Sequence, residues 1–222
     1  SQLPPRAVGF SPLAMALPAL SLQLERAAGQ RWALGARTFL FPPAAPAYDF
    51  TIVSVTEILS RTGRGHSAVR VGGQARFFYR ERLLAKGTGW RRGYLRGGLD
   101  LQWATAYDEA PNSGSCWIVC YEAPPERDAI DDSVYDSIVW TERFWALRPG
   151  LGIGREWLWP SGFSISAGME LNYYYGLGGS YTFEGTTDGQ TSTLEGALSS
   201  TSILSVFGRP TMPISLELRW RF

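Results

Sequence analysis

Pro213-Ile214-Ser215-Leu216-Glu217-Leu218-Arg219-Trp220-Arg221-Phe222 is the stretch whose reading decides the fold. Ile214, Leu216, Leu218, Trp220 and Phe222 alternate with Ser215, Glu217, Arg219 and Arg221. Successive side chains of a β-strand point to opposite faces. The stretch is therefore expected to be a strand with one apolar face and one charged face. A sheet in water would bury the apolar face, and a strand in lipid would bury the charged one. The stretch alone leaves both open, and the rest of the chain has to decide.

Working outward, the pattern recurs. Phe163, Ile165, Ala167, Met169, Leu171, Tyr173 and Tyr175 alternate with Ser164, Ser166, Gly168, Glu170, Asn172 and Tyr174. Trp145, Leu147, Leu151 and Ile153 oppose Arg148, Gly150, Gly152, Gly154 and Glu156. Leu95, Leu99, Leu101, Trp103 and Tyr107 oppose Arg92, Arg96, Asp100 and Gln102. Val69, Val71, Ala75, Phe77 and Tyr79 oppose Arg70, Gln74, Arg76 and Arg80. Trp32, Leu34, Ala36, Thr38 and Leu40 share a face away from Arg37, and Leu20, Leu22 and Leu24 alternate with Ser21, Gln23 and Glu25. Ala7 to Leu17 is read as a first strand, with Pro12 confining it to an edge, a bulge or an irregular stretch.

The connections have a rhythm of their own. Short turns near 28–30, 85–89 and 160–162 alternate with long connections at 43–65, 109–139 and 178–212. Outer-membrane barrels have short periplasmic turns and long outer loops. The reading is therefore all-β: one domain over residues 1–222, a closed antiparallel up-and-down transmembrane β-barrel of about eight strands, with those three stretches as outer loops. Trp and Tyr stand near strand ends, as in aromatic girdles, and strands of ten or more residues match the roughly 9 to 11 that cross a bilayer.

In such a barrel the charged face lies inside. The expected inner network is Glu25, Arg37, Arg70, Arg76, Arg96, Asp100, Arg148, Glu156, Glu170, Glu217 and Arg219, with Gln23, Gln74, Gln102 and Asn172 beside them. An eight-stranded barrel is just filled by its side chains, and buried charges must be paired. The network is thus expected to plug the barrel rather than line a pore. Leu216, Leu218, Trp220 and Phe222 are expected to face the membrane.

Phe222 at the end of the alternating closing strand resembles the OmpA-type class of small outer-membrane barrels. Ser11-Pro12-Leu13-Ala14, then Leu20-Ser21-Leu22-Gln23-Leu24-Glu25-Arg26, a short turn, Trp32-Ala33-Leu34 and a Pro-terminated strand are similar to small outer-membrane proteins common in Bacteroidetes. The resemblance implies an outer-membrane location with a signal peptide already removed. It implies no particular activity, because folds do not dictate function.

Composition narrows the classes. The chain has 222 residues, is 45% hydrophobic and 14% aromatic, and carries a net charge of +1, so disorder and a nucleic-acid partner are both disfavoured. No run of about 18 apolar residues makes a membrane helix. Cys116 and Cys120, the only cysteines, are expected to form a small disulfide loop in an oxidising compartment; without a nearby His they make a poor metal site. No cofactor motif appears. The acidic connection carries Glu109, Glu122, Glu126, Asp128, Asp131, Asp132 and Asp136. It reads as a solvated loop, or as a holder of the divalent cations that bridge lipopolysaccharide. The preferred function is non-enzymatic: a structural or accessory barrel in contact with outer-membrane lipid and lipopolysaccharide, acting through its outer loops or as a subunit of a complex with other outer-membrane or periplasmic proteins. The alternatives are a lipid-modifying enzyme of the lipid A deacylase or acyltransferase type and a soluble β-barrel carrier. His66 and Ser67 are adjacent on a strand and so point apart, which does not suit a nucleophile–base pair.

Overall fold

The computed structural model describes residues 6–12, 20–41, 66–84, 88–110, 134–199, 212 and 214–222. Ten strands lie among them: β1 Arg6–Phe10, β2 Leu20–Ala27, β3 Trp32–Phe41, β4 His66–Leu83, β5 Trp90–Ala110, β6 Ser137–Leu158, β7 Phe163–Asn172, β8 Tyr175–Thr187, β9 Gln190–Leu198 and β10 Ile214–Arg221. All pair antiparallel.

Eight of them make a ring. β1 to β7 pair in sequence, β10 pairs with β7, and β1 pairs with β10. The seam is tied at its end by Arg6 N donating to Phe222 O at 3.2 Å and Phe222 N donating to Arg6 O at 2.9 Å. The ring is strongly staggered. Cα partners lead from Ala7 through Glu25, Gly35, Gln74, Gly98 and Gly150 to Asn172 on β7. The other way round, Ala7 faces Arg221, whose N–H donates to the carbonyl of Gly162 just before β7. The two routes reach the same strand ten residues apart, at 172 and 162. A stagger of this size in a ring of eight inclines the strands by about 40° to the ring axis.

The three short turns lie at one end. Ala28 N bonds Trp32 O at 2.8 Å, Leu84 N bonds Gly89 O at 2.8 Å, and Trp159 N bonds Phe163 O at 2.9 Å. The connections 11–19, 42–65 and 111–136 leave from the other end. There β5 and β6 outrun their neighbours: His66 of β4 is level with Ala106, while β5 goes on to pair with β6 as far as Ala110 with Ile138. β7 pairs with the second half of β6, and after Tyr173-Tyr174 the chain continues as β8 along the first half. β8 turns through Asp188-Gly189 into β9. The upper ends of β5 and β6, with β8 and β9, thus form a sheet that projects beyond the ring.

Three differences from the sequence reading follow. The first described strand is Arg6–Phe10, so it stops short of Ser11 and Pro12, and residues 13–17 of the 7–17 reading lie outside the described residues. The stretch 109–139 is entered by strand at both ends, since Glu109 and Ala110 belong to β5 and Ser137 to Val139 to β6. The stretch 178–212 is not a plain connection: it contains most of the β8–β9 hairpin. That hairpin is exposed on both faces over much of β9 and therefore carries no apolar alternation to detect. The 43–65 connection, Cys116 and Cys120 lie outside the described residues, as do the acidic residues from Glu122 to Asp132.

Candidate functional site

The interior of the ring is where the charged face of each strand goes. Glu25, Arg76, Arg96, Asp100, Arg148, Glu156, Glu170, Glu217 and Arg219 are buried, with Gln23, Gln74, Gln102 and Asn172. Arg37 and Arg70 are partly buried. Three further members go beyond the network expected from the sequence. Arg92 and Arg221 are buried in the same interior, and Glu142 lies higher on β6. Their signal was the same alternation, carried further along β5, β6 and β10.

The buried charges form two linked clusters. In the one nearer the long connections, Arg37 grips Glu170 with both terminal nitrogens, at 3.1 and 2.9 Å, and its Nε donates to Asp100 at 2.7 Å. Arg148 donates to the other oxygen of Asp100 at 2.6 Å. Arg96 joins this cluster to the next, reaching Glu170 at 2.5 Å and Glu217 at 2.6 Å. In the cluster nearer the short turns, Glu217 pairs with Arg219 and Glu25 with Arg76. Glu156, fully buried, accepts from Arg92 at 2.9 Å, Arg221 at 2.8 Å and Ser164 Oγ at 3.0 Å. Gln23 and Gln74 knit the carboxylates together: Gln23 Nε2 donates to Glu217 at 2.9 Å, and Gln74 Nε2 to Gln23 and Glu25 at 3.1 Å each.

Aromatic rings lie against the lattice at both ends. Phe78 and Tyr94 meet edge to face with centroids 6.2 Å apart. The Arg76 guanidinium lies 5.2 and 5.1 Å from their centroids, and Arg92 lies 4.6 Å from that of Phe78. At the other end Arg148 stands 5.9 Å from the Tyr174 ring. Stacking on a ring face gives a guanidinium an electrostatic partner where its edges lack an acceptor.

The outer face is the reverse. Leu22, Leu24, Trp32, Leu34, Val69, Val71, Leu95, Leu99, Leu151, Ile153, Met169 and Leu171 are exposed, Leu151 at 71%. Leu216 and Leu218 are half-buried on this face, and Trp220 and Phe222 are exposed. Aromatic pairs bracket the aliphatic residues: Trp32–Phe77, Trp159–Phe163 and Phe163–Trp220 at the short-turn end, Trp103–Trp145 and Tyr173–Tyr175 at the other.

The projecting sheet has another character. Ile138, Trp140 and Phe183 are buried together, with Tyr135 and Tyr181 packed against them. Trp140 stacks on Tyr181 at 4.7 Å, and its Nε1 donates to Glu142 at 2.7 Å. Asp136, from the acidic connection, caps the hairpin tip by accepting from Asp188 N at 2.9 Å. His66 and Ser67 begin β4 in register with Ala106 and Thr105. Among the described residues no group of three or more His, Cys, Asp or Glu is arranged to hold a metal ion.

No protein-family model and no curated protein matches the chain. Among solved structures it is similar to a major outer membrane protein from Thermus thermophilus, at 13% identity and a TM-score of 0.41 over 98% of this chain and 99% of that one.

Proposed function

We propose that the ring closes as an OmpA-type transmembrane β-barrel of the bacterial outer membrane, and that the protein is a non-enzymatic structural or accessory component of the envelope. The observation that carries the reading is the outward face of β6. From the top it reads Ser137, Val139, Thr141, Arg143; then Trp145, Leu147, Pro149, Leu151, Ile153; then Arg155 and Trp157. From Arg143 to Arg155 the strand advances about 40 Å at roughly 3.3 Å per residue. Inclined by about 40°, that is about 30 Å along the barrel axis, close to a bilayer's hydrocarbon thickness. A wall of exposed Leu, Ile and Val around a buried ionic lattice has no stable arrangement in water, where apolar surface is the part driven inward.

The lattice supports a plugged barrel. Phe78 and Tyr94 lie against the lattice at one end and Tyr174 at the other, and the inner arginines are engaged by carboxylates from several different strands. Function then falls to the projecting sheet, the long connections and the lateral wall, which meet lipopolysaccharide, other lipids or partner proteins. The adjacency of His66 and Ser67 in one strand argues against the lipid-modifying alternative.

The experiment is extraction and electrophoresis. The protein is expected to leave membranes only with detergent and to migrate faster unheated than boiled. Planar bilayers holding it are expected to show no large steady conductance. A monodisperse protein in plain buffer would overturn the membrane placement, and a stable ohmic channel would overturn the plug.

A further inference from the structure

At the short-turn end the outer wall is basic, and in a way that disfavours the sheet by itself. Arg6 and Arg26 are directly opposed across β1 and β2, and Arg82 and Arg91 across β4 and β5. Arg155 faces Gly93 on the neighbouring strand. Arg6, Arg26, Arg82 and Arg155 are exposed and Arg91 is half-buried, while their sequence neighbours Ala7, Glu25, Arg92 and Glu156 are buried. The arginines therefore leave the wall outward. Like charges directly opposite on one face destabilise a sheet. No ion pair among the described residues involves any of these five. Glu81, beside Arg82, is in register with the inward Arg92 and so belongs to the other face.

The surroundings say what neutralises them. The pairs sit where the aliphatic band ends, among Trp32–Phe77 at 5.0 Å and Trp159–Phe163–Trp220 at 5.6 and 5.4 Å. Rings of this kind favour the headgroup level of a bilayer. Arginine stems can lie along apolar surface while the heads reach the interface, and the guanidinium fork matches a phosphate. Among the described residues the opposite end has the other sign: Arg143 is outnumbered there by exposed Glu184, Glu195 and Asp188.

We propose that the Arg6–Arg26 and Arg82–Arg91 pairs are binding sites for the phosphate of anionic phospholipids in the leaflet at the short-turn end. The inference rests on the membrane placement of the outer wall. Each pair offers two forks to one phosphodiester, so the bound lipid removes the repulsion that the strand register imposes.

The test uses the full chain in phosphatidylcholine nanodiscs titrated with phosphatidylglycerol, with bound lipid counted by native mass spectrometry and inorganic phosphate added in a parallel arm. The chain is expected to retain phosphatidylglycerol over phosphatidylcholine by tenfold or more, on the order of the fivefold contributed by each arginine. The double variants R6Q/R26Q and R82Q/R91Q are each expected to lose most of that preference at their own site, and R82K/R91K to keep part of it. Millimolar inorganic phosphate is expected not to displace the lipid. Equal uptake of the two lipids by the unmodified chain, an unchanged preference in both glutamine variants, or displacement by inorganic phosphate would overturn the proposal. A chain that enters the discs and shows heat-modifiable migration without headgroup preference overturns this inference alone; a chain that does not enter them overturns the membrane placement instead.

Discussion

β6 runs through two regions that treat the same strand in opposite ways. In the ring its inward side chains are Arg148 and Glu156, both buried, and its outward ones are Leu151 and Ile153, both exposed. In the projecting sheet the inward side chains are Ile138, Trp140, Glu142 and Phe144, with Glu142 held by the Trp140 indole, while Ser137 and Arg143 are exposed outward. The polarity of the two faces inverts along one strand, between Phe144 and Arg148. One solvent outside the molecule cannot favour both halves. Hydrocarbon outside requires apolar residues outward, and water outside requires them inward. On the membrane placement proposed above, the inversion is where the strand leaves one medium for the other, and it makes the two regions separately testable.

The largest effect is expected where the ring keeps its charges. Glu156 is fully buried and serves Arg92, Arg221 and Ser164. Glu156→Ala strands two guanidiniums in a low-dielectric interior, which costs about 3–5 kcal/mol. The urea midpoint of tryptophan fluorescence in detergent is expected to fall accordingly, with membrane location unchanged. Glu184→Ala in the projecting sheet removes an exposed carboxylate, and its effect is expected within about 0.5 kcal/mol. Equal effects of the two would erase the distinction between the regions.

Trp140→Ala attacks the other region. The indole packs with Ile138, Phe183 and Tyr181 and donates to Glu142. Truncating a buried Trp costs about 3–5 kcal/mol, here spent within the projecting sheet. Limited proteolysis or hydrogen exchange is expected to open β8 and β9 while the ring keeps its heat-modifiable migration. Loss of the folded band itself would mean that the sheet and the ring are one cooperative unit.

Leu151→Arg and Thr141→Arg put the same charge on the same outward face of β6, one on each side of the inversion. Leu151 is 71% exposed in the aliphatic band, where arginine is expected to cost about 2–4 kcal/mol if it meets hydrocarbon near the midplane. Thr141, next to the exposed Arg143, is expected to tolerate it within about 0.5 kcal/mol. Refolding yield into vesicles, read as the heat-modified fraction, separates them. If both are silent, the outer face meets water throughout.

The ring was largely legible in the sequence because its two faces differ so sharply. Ile214 to Phe222 alternates without a break, and Glu217 and Arg219 are buried while Trp220 is exposed. Arg92 and Arg221 carry the same signal further along β5 and β10 than the residues first placed inside. The projecting sheet was less legible for a physical reason. β9 is Gln190-Thr191-Ser192-Thr193-Leu194-Glu195-Gly196-Ala197-Leu198 and is exposed over nearly its whole length. It has no apolar face for a period of two to reveal. The bulge at Tyr79 also hid: it breaks the register between Phe78 and Arg80, so Arg80 pairs with Gly93 and is exposed instead of continuing the inward row of Gln74, Arg76 and Phe78. The one signal for the hairpin was the turn itself, Asp188-Gly189, which sits inside what composition reads as a polar loop.

That turn carries the smallest prediction. Asp188 and Gly189 have φ of 51° and 76°, so both central residues are left-handed, as the tight turn that suits a right-handed strand twist requires. Asp tolerates this conformation and glycine adopts it freely. A methyl group at Gly189 would meet nothing within 4 Å, so Gly189→Ala tests the backbone alone, with no packing change to confuse it. The expected cost is about 1 kcal/mol, confined to the hairpin. Hydrogen exchange at Thr186 and Thr191, which face each other beside the turn, is expected to quicken about fivefold, while the urea midpoint of the ring stays where it was. At Gly72 in the ring the same methyl would run into the Asp100 carboxylate, which Arg37 and Arg148 hold in place, so Gly72→Ala is expected to move the midpoint itself. A Gly189→Ala variant that shifted the ring's midpoint would show that the hairpin clamps the ring, and the two regions would have to be treated as one.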